Sequence, residues 1–407
     1  MSDDAPKLTF LGKLFILLFI GACFYGAFWM LRKKPLGSRE ETPGNAASAQ
    51  TNSGPGTSGG SDAKAVQIGI AYGTEKQRWL TWAADEFGKT PAGKKVKVNL
   101  IPMGSLEGGR AAVSGDERIT VWSPASALYK DIFVQEWQLK YNKAPIAREE
   151  LLALSPMVFV MWQERYDAFA TKYKEVNFET IGKALREPGG WDAIAQKPEW
   201  GLFKFGHTHP NQSSSGLMTL TLMAYDFHKK GQGLVLKNIL DPSFQTWMNG
   251  TEAAVTGLSN STGNMMRDMV LRGPSSYDAL FVYENVAIDY LKNAEGRWGN
   301  LHVSYPRQNM WNENPYYILD APWSSREQRQ AAGAFLDFLL TEPIQREALK
   351  HGFRPGNPEV PVKFPESPFT AYATYGLQIN VDHICEPPKA EVLNNLLAGW
   401  QRAQGSR

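Results

Sequence analysis

Cysteine is nearly absent from this 407-residue chain, which contains only Cys23 and Cys385. Cys23 lies inside an apolar run, so the rest of the chain has a single thiol and no internal disulfide. This excludes a disulfide-stabilised scaffold and a zinc site built from cysteines. An excess of one charge is missing too, because 43 Lys and Arg stand against 41 Asp and Glu. Nucleic-acid-binding proteins need a basic excess on one face, so the composition disfavours that class.

Apolar residues, in contrast, are plentiful. They make up 43% of the chain and aromatic residues make up 12%, enough for a large core. The length corresponds to two or three domain-sized units. The chain therefore folds over most of its length and does not belong to the disordered class.

One uncharged apolar run stands near the N-terminus, over residues 14–31 (LFILLFIGACFYGAFWML). Eighteen helical residues span roughly 27 Å, close to the hydrocarbon thickness of a bilayer. The run predicts a transmembrane helix and an N-terminal membrane anchor over residues 1–34. A buried core helix, a cleaved signal peptide and lipidation at Cys23 are the alternatives. The run exceeds a typical signal-peptide core and lacks an A-x-A cleavage site.

The orientation of this span is less clear from charge. Lys7 and Lys13 precede it and residues 32–34 (RKK) follow it, which slightly favours a cytoplasmic C-terminal side. Residues 35–64 contain six Gly, five Ser and three Pro, and no aromatic residue. They predict a disordered linker with a reach of roughly 30 Å.

The domain that follows this linker decides the side of the membrane, and it favours the extracytoplasmic side.

From residue 65 onward, apolar strands alternate with amphipathic helices. Residues 66–71, 96–101, 119–122 and 157–162 read as strands, and residues 75–87 repeat apolar residues at helical spacing. This alternation predicts an α/β fold with mostly parallel sheets. About 340 residues exceed one core, so we expect two lobes.

Ligands of open α/β sheets bind at the carboxyl ends of strands, so each strand-to-helix junction is a candidate contact. The junctions carry Gly73-Thr74, residues 122–126 (WSPAS), residues 206–216 (GHTHPNQSSSG) and residues 283–285 (YEN). Ser, Thr and Asn also cap helices throughout proteins, so any single junction has that simpler explanation. The three consecutive serines of residues 213–215 exceed what one cap needs.

These junctions, with Tyr305-Pro306 and a helix pair over residues 329–350 ending in GFRP, resemble the bacterial extracellular solute-binding proteins of the type II periplasmic-binding-protein fold. The similarity is to the branch that includes molybdate-, sulfate- and iron-binding receptors. It implies lobe 1 over residues 65–154 and 306–407 and lobe 2 over residues 155–305, with a ligand in the cleft between them. The amphipathic segment 391–402 is expected to pack on lobe 1.

The resemblance implies one set of ligand contacts from both lobes, namely Thr74, Ser126, Ser213, Ser215, Glu284 and Tyr305. It implies a small-molecule or ion ligand, no enzymatic activity, and an ABC permease as partner. A transmembrane anchor departs from the usual family member. It leaves open a ligand-sensing or accessory module of a membrane complex that does not transport. A carboxylate at Glu284 disfavours a simple oxyanion ligand and leaves a cation, an amine or a polyol.

Catalytic and metal-binding motifs give no competing interpretation. No Walker A run or His-Glu-x-x-His segment occurs, and no elbow motif supports a Ser-His-Asp triad, so a hydrolase-like enzyme is the weakest alternative. His207-x-His209 has a spacing that metal ligands use, with Glu284 as the only further ligand we can motivate. Imidazoles bonded to the backbone explain the pair more simply. We therefore expect neither a metal nor a cofactor.

Overall fold

The computed structural model describes residues 65–405. The predicted membrane span over residues 14–31 and the linker over residues 35–64 lie outside these described residues. Within residues 65–405, no helix combines the length and the apolar character needed to cross a bilayer.

The chain runs from one sheet to a second and then returns. The elements before the first crossing are β1 (Val66–Gly73), α1 (Gln77–Lys89), β2 (Val96–Met103), α2 (Ser105–Ser114), β3 (Val121–Ser123), α3 (Lys130–Tyr141), β4 (Ile146–Leu151) and β5 (Ala153–Leu154). Those between the crossings are β6 (Met157–Trp162), α4 (Gln163–Tyr173), α5 (Phe178–Leu185), α6 (Gly190–Ala195), β7 (Phe205–Thr208), α7 (Ser214–His228), α8 (Leu236–Ile239), α9 (Pro242–Ala254), β8 (Gly257–Ser259), α10 (Thr262–Arg272), β9 (Ala279–Tyr283), α11 (Glu284–Ala294) and β10 (Leu301–Ser304). Those after the return are β11 (Pro315–Leu319), α12 (Arg326–Leu339), α13 (Glu342–Lys350), β12 (Arg354–Pro355), α14 (Pro368–Ala371) and α15 (Ala390–Gly405).

The sheet of lobe 1 has the strand order β2-β1-β3-β11-β4. β1 pairs in parallel with β2 and β3, whereas β11 runs antiparallel to β3 and β4. Trp79, Leu80, Ala83 and Phe87 of α1 are buried, as their helical spacing predicts. The carboxyl ends of β1 and β3 and the start of β11 consequently meet at one edge of the sheet, where lobe 1 faces the cleft.

The sheet of lobe 2 has the order β10-β6-β9-β7-β8. β7 is parallel to β8 and β9, but β6 is antiparallel to β9 and β10. The prediction of mostly parallel sheets is therefore corrected to two mixed sheets. The reason is the direction in which the chain crosses between the lobes. β6 and β11 are the first strands after the two crossings, and each runs opposite to the strands on either side of it.

Two crossing segments lie side by side between the lobes. Ser155 and Asn312 form an antiparallel bridge, and the side-chain amide of Asn312 donates to the carbonyl of Ser155 at 2.9 Å. The amide of Asn314 donates to the carbonyl of Ala153 at 3.2 Å. Buried asparagine amides thus satisfy backbone carbonyls where the chain leaves regular structure. A short β5–β12 ladder accompanies the crossing.

The C-terminal part of the chain departs from the predicted lobe assignment. Residues 306–407 were expected in lobe 1, and β11, α12 and α13 do lie there. Helix α15, however, packs on α7, α8 and α9 of lobe 2, with Leu393, Leu397 and Trp400 buried in that contact. An amphipathic pattern shows that a helix has a buried face, but it does not say which lobe that face covers.

Candidate functional site

A cavity of about 270 Å³ opens between the two lobes, and we call it the interlobe cavity. Lobe 1 contributes the turn after β1 and the start of α1, and lobe 2 contributes the N-terminus of α10 and one face of α11. The lining includes Thr74, Glu75, Arg78, Ser261, Asn264, Arg267, Asp289 and Tyr290. Hydroxyl, amide and charged groups of both signs therefore face one small space, which suits a polar solute.

Thr74 is the predicted site residue that lines this cavity. Its hydroxyl lies 2.9 Å from the hydroxyl of Ser261 in the opposite lobe. Ser261 also caps α10, because its Oγ accepts the N–H of Asn264 at 3.3 Å. Helix N-termini and strand ends meet here because the carboxyl edges of the two sheets face each other. The two lobes are thus joined by a direct hydrogen bond at the cavity wall.

Ser213 and Ser215 belong to a buried hydroxyl network beside the cavity. Ser215 Oγ lies 3.0 Å from Ser213 Oγ, 2.5 Å from Thr208 Oγ1 and 2.8 Å from Thr262 Oγ1. Thr262 follows Ser261 directly, so this network adjoins the cavity. Ser214, the serine between the two predicted ones, is buried and its Oγ has no hydrogen-bond partner among the described residues. Within the described residues, the serine run therefore leaves one buried hydroxyl group unpaired beside this network.

Ser126 has a local role at its strand end. Its Oγ accepts the N–H of Leu128 at 3.2 Å, so it caps the short 3-10 turn Ala127–Tyr129. The carboxylate of Glu313, on the crossing segment, accepts the N–H of Ala127 at 3.2 Å. Burial raises the pKa of Glu313, although the hydrogen bond from the N–H of Ala127 opposes the rise. Ser126 as a ligand contact stays a prediction, and its capping bond provides the simpler explanation.

Glu284 and Tyr305 are outside the lining of the interlobe cavity and meet at an ion pair with Arg354. Arg354 Nε and Nη2 donate to the two oxygens of Glu284 at 2.8 Å each, and Tyr305 donates to the same carboxylate. Arg354 also donates to the carbonyls of Gln378 and Ile379. Burial raises the pKa of Glu284, while the charge and hydrogen bonds of Arg354 act against the rise. These polar atoms are engaged inside the protein, so ligand contact by either residue stays a prediction.

The residue pair that sequence reasoning missed is Glu75-Lys76. Lys76 is fully buried, and its ammonium donates to Glu75 Oε1 at 2.5 Å and to Pro124 O and Asn314 Oδ1 at 3.1 Å each. Burial lowers the pKa of Lys76, and the neighbouring carboxylate opposes that change. A Glu-Lys pair at the start of a helix gives no sequence signal, because most such pairs are solvent-exposed. Here the ammonium of Lys76 holds the carboxylate of Glu75 at the wall of the interlobe cavity.

The His207-x-His209 pair has a structural explanation. His207 Nδ1 lies 2.8 Å from Thr208 O, and Nε2 lies 2.9 Å from Glu252 Oε1. The ring of His209 packs edge-on against Trp400. No group of three or more His, Cys, Asp or Glu side chains within residues 65–405 is arranged to hold a metal ion. The two imidazoles therefore serve packing and hydrogen bonding.

The family is decided by a match over most of the described chain. Residues 68–354 match the model of a family described as bacterial extracellular solute-binding protein. The chain belongs to this family. The resemblance predicted from the strand-end motifs is thereby confirmed, and so is the prediction that this solute-binding protein is not an enzyme. A comparison with curated proteins found no significant match.

Solved structures share the fold of this solute-binding protein. A periplasmic thiamin binding protein is similar with a TM-score of 0.58 and 12% identity, covering 84% of this chain and 98% of that one. The sulfate-binding protein SubI from Mycobacterium tuberculosis H37Rv gives 0.53 and 17%, covering 84% and 99%. Iron-bound HitA from Pseudomonas aeruginosa gives 0.54 and 13%, covering 83% and 99%. The predicted two-lobed α/β fold of periplasmic binding proteins is confirmed.

Proposed function

We propose that this protein captures a small polar solute in the interlobe cavity and presents it to an ABC-type permease at the membrane. The observation that carries the proposal is the cavity itself, which both lobes line with polar side chains. A ligand that contacts both walls binds the closed arrangement more tightly than an open one. A permease that recognises closed lobes would then respond only to the loaded protein.

Three of the predicted contacts belong to this proposal in a revised form. Thr74 lines the cavity, and Ser213 and Ser215 support its lobe 2 side through Thr262 and Ser261. We add Glu75 from lobe 1 and Asn285 from lobe 2 as contacts. Ligand contact by the other three, Ser126, Glu284 and Tyr305, stays a prediction, because their polar groups are bonded within the protein.

Binding is tested by small-angle scattering and calorimetry on the full chain purified from membranes in detergent. We expect compaction and a heat of binding with at least one member of a panel of polyols, amines and oxyanions. Ser261→Ala, which removes the hydroxyl shared with Thr74, should weaken that binding. Ser275→Ala is the matched control, because Ser275 is exposed and bonds only to the carbonyl of Arg272. No response to any panel member, with no small molecule copurifying, would argue against solute binding.

We also propose that residues 14–31 anchor the protein in the cytoplasmic membrane, with residues 65–405 on the extracytoplasmic side. The family is extracellular by description, which favours this side. The test fuses to the C-terminus a reporter that is active only outside the cytoplasm. Carbonate-resistant membrane association with an active reporter is expected. Release of the protein into the soluble fraction would indicate a cleaved leader instead.

The permease partnership has its own experiment. Cross-linking in intact cells followed by purification should recover a membrane permease with an associated ATPase. Recovery of a different membrane complex without transport components would favour the ligand-sensing or accessory module that the sequence left open.

A further inference from the structure

Two backbone N–H groups at the lobe 1 edge of the cleft already donate hydrogen bonds to carboxylates of the protein. The N–H of Gly104, just before α2, donates to Glu107 Oε2 at 3.2 Å. The N–H of Ala127, which opens the turn after β3, donates to Glu313 Oε2 at 3.2 Å. Proteins commonly bind oxyanions through free N–H groups at such starts. Here two carboxylates of the protein occupy that role, so these two N–H groups are not free to bind an oxyanion.

The cavity wall itself carries an acceptor, the carboxylate of Glu75. Its side chain is only 6% exposed and is held by Lys76, whose ammonium is itself fixed by two further acceptors. After burial, the charge of Glu75 is a cause of the raised pKa values of Tyr72 in lobe 1, to about 12, and of Tyr283 in lobe 2. Glu75 therefore lies where the ends of β1 and β9 approach each other, within reach of a ligand held by both lobes.

A second acceptor stands beside Glu75 on the lobe 2 side. The side-chain amide of Asn285 donates across the cleft to the backbone carbonyl of Glu75 at 3.3 Å, and its backbone N–H donates to Ser155 Oγ at 3.1 Å. Asn285 is 1% exposed, and its Oδ1 has no hydrogen-bond partner within the described residues. Buried carbonyl oxygens are normally paired, so this atom is able to accept a further hydrogen bond.

We infer that the ligand of this cleft presents hydrogen-bond donors, hydroxyl or ammonium groups, to Glu75 and Asn285, and that it is not a tetrahedral oxyanion. The inference rests on the proposed function of the interlobe cavity. Polyols and amines share the required donor chemistry.

The test compares three groups of probes on the full chain in detergent. Ribitol, glucitol and maltose represent hydroxyl donors, putrescine and thiamin represent ammonium donors or cations, and sulfate, phosphate and molybdate represent oxyanions. Calorimetry and scattering should detect binding and compaction with one of the first two groups and none with the third. If only ribitol, glucitol or maltose binds, the site is a polyol site. If only putrescine or thiamin binds, it is a cation site.

Two failures of this test have different meanings. Binding of sulfate, phosphate or molybdate with compaction would overturn the inferred ligand class and leave the solute-binding function intact. Absence of binding by all three groups, with nothing copurifying by native mass spectrometry, would overturn both.

Variants place the ligand at the two acceptors. Asn285→Ala should weaken the bound probe at least tenfold, because it removes Oδ1 from a buried position. Asn395→Ala is the matched control, since Asn395 also donates its amide to a backbone carbonyl, that of Glu391 at 2.9 Å, but is only half-buried, on α15. It should change affinity less than twofold. Equal losses in the two variants would contradict the assignment.

Glu75→Gln separates the two donor types. It keeps the size of the side chain and removes its charge, so an amine should lose more affinity than a polyol. Because the change leaves Lys76 without its anionic partner, circular dichroism and the urea midpoint must first show that the variant folds. If it does not fold, the Asn285→Ala result decides the question.

Discussion

At the scale of single residues, Arg354 is the side chain whose loss should cost most. Its guanidinium binds both oxygens of Glu284, and the two side chains are 6% and 0% exposed. Arg354→Met would leave a buried carboxylate without its cation. Removing one partner of such a pair costs about 3–5 kcal/mol. Urea unfolding of the full chain should show a loss of that size in the free energy of unfolding.

An exposed pair on α13 provides the control for this prediction. Lys350 and Glu347 lie 2.7 Å apart with side chains 54% and 22% exposed, so Lys350→Met should cost less than about 1 kcal/mol. The double variant Arg354→Met/Glu284→Leu should recover part of the loss, because no charge is left buried. Equal losses in the free energy of unfolding from Arg354→Met and Lys350→Met would show that burial does not increase the contribution of the Arg354–Glu284 ion pair to stability.

Residues with local signals were the ones that sequence could locate. Thr74, Ser213 and Ser215 follow strand ends, and the structure places them at or beside the interlobe cavity. Glu284 also follows a strand end, but its partner Arg354 is 70 residues away in sequence and gave no sign of the pairing. Lys76 was invisible for a related reason, since its burial depends on Pro124 and Asn314, distant residues on two other segments.

At the scale of secondary-structure elements, α15 is fixed to lobe 2 by a buried polar contact. The indole N–H of Trp400 donates to Glu252 Oε2 at 2.7 Å. Trp400→Phe removes this donor but keeps an aromatic ring, and should cost about 1–3 kcal/mol. Hydrogen exchange should become faster in residues 390–405 than in α12. Trp298→Phe is the control, because Trp298 is 53% exposed; an equal effect there would contradict the role of the indole N–H.

The same carboxylate gives α9 and β7 a pH-dependent link. Burial lowers the pKa of His207, but the charge and hydrogen bond of Glu252 outweigh it, so the pKa is raised above its ordinary value of 6.5. The folded pKa is then above the unfolded one. The stabilisation is complete below about pH 6.5 and is lost as the pH rises through the raised value.

His207→Gln should remove that dependence. We expect the free energy of unfolding of the wild type to fall across this pH range and that of the variant to change less. Urea unfolding at several pH values measures both. A His383→Gln variant, whose histidine is exposed, controls for the general effect of losing an imidazole. Parallel curves for wild type and His207→Gln would contradict the assignment.

Elements were predicted more successfully than their packing. Apolar spacing identified α1 and the C-terminal helix, because a buried helical face recurs every three or four residues. It did not place α15 on lobe 2, since the same stripe fits any apolar surface. The prediction of mostly parallel sheets failed for a similar reason. Strands β6 and β11 are recognisable from their composition, but their antiparallel pairing depends on where the chain crosses between lobes.

At the scale of the whole molecule, polar and close backbone contacts join the two lobes. Thr74 and Ser261 share a hydrogen bond, and Arg110 donates to the carbonyl of Asn211 at 2.9 Å. Gly104 passes so close to lobe 2 that a Cβ there would lie 2.6 Å from the carbonyl oxygen of Gln212. These contacts cross between the lobes, so a ligand that binds both walls can shift the balance between open and closed states.

Asp289 is the lobe 2 residue on which closure should depend most. It lies 3.1 Å from Arg78 Nη1 and 3.6 Å from His351 Nδ1, and both of those residues belong to lobe 1. Asp289→Asn removes the negative charge that attracts the guanidinium of Arg78. We expect the ligand-free variant to populate more open states, which scattering would measure as a larger radius of gyration.

Salt and a second variant make this prediction specific. Arg78 is 63% exposed, so its attraction to Asp289 should be screened in about 1 M salt, where the Debye length is only about 3 Å. Wild type in high salt should therefore approach the radius of gyration of Asp289→Asn, and the variant should respond little to salt. Asp337→Asn is the control, because Asp337 pairs with Arg148 inside lobe 1. A similar expansion in that control, or no expansion of Asp289→Asn, would show that charge pairing between the lobes does not set the closed state.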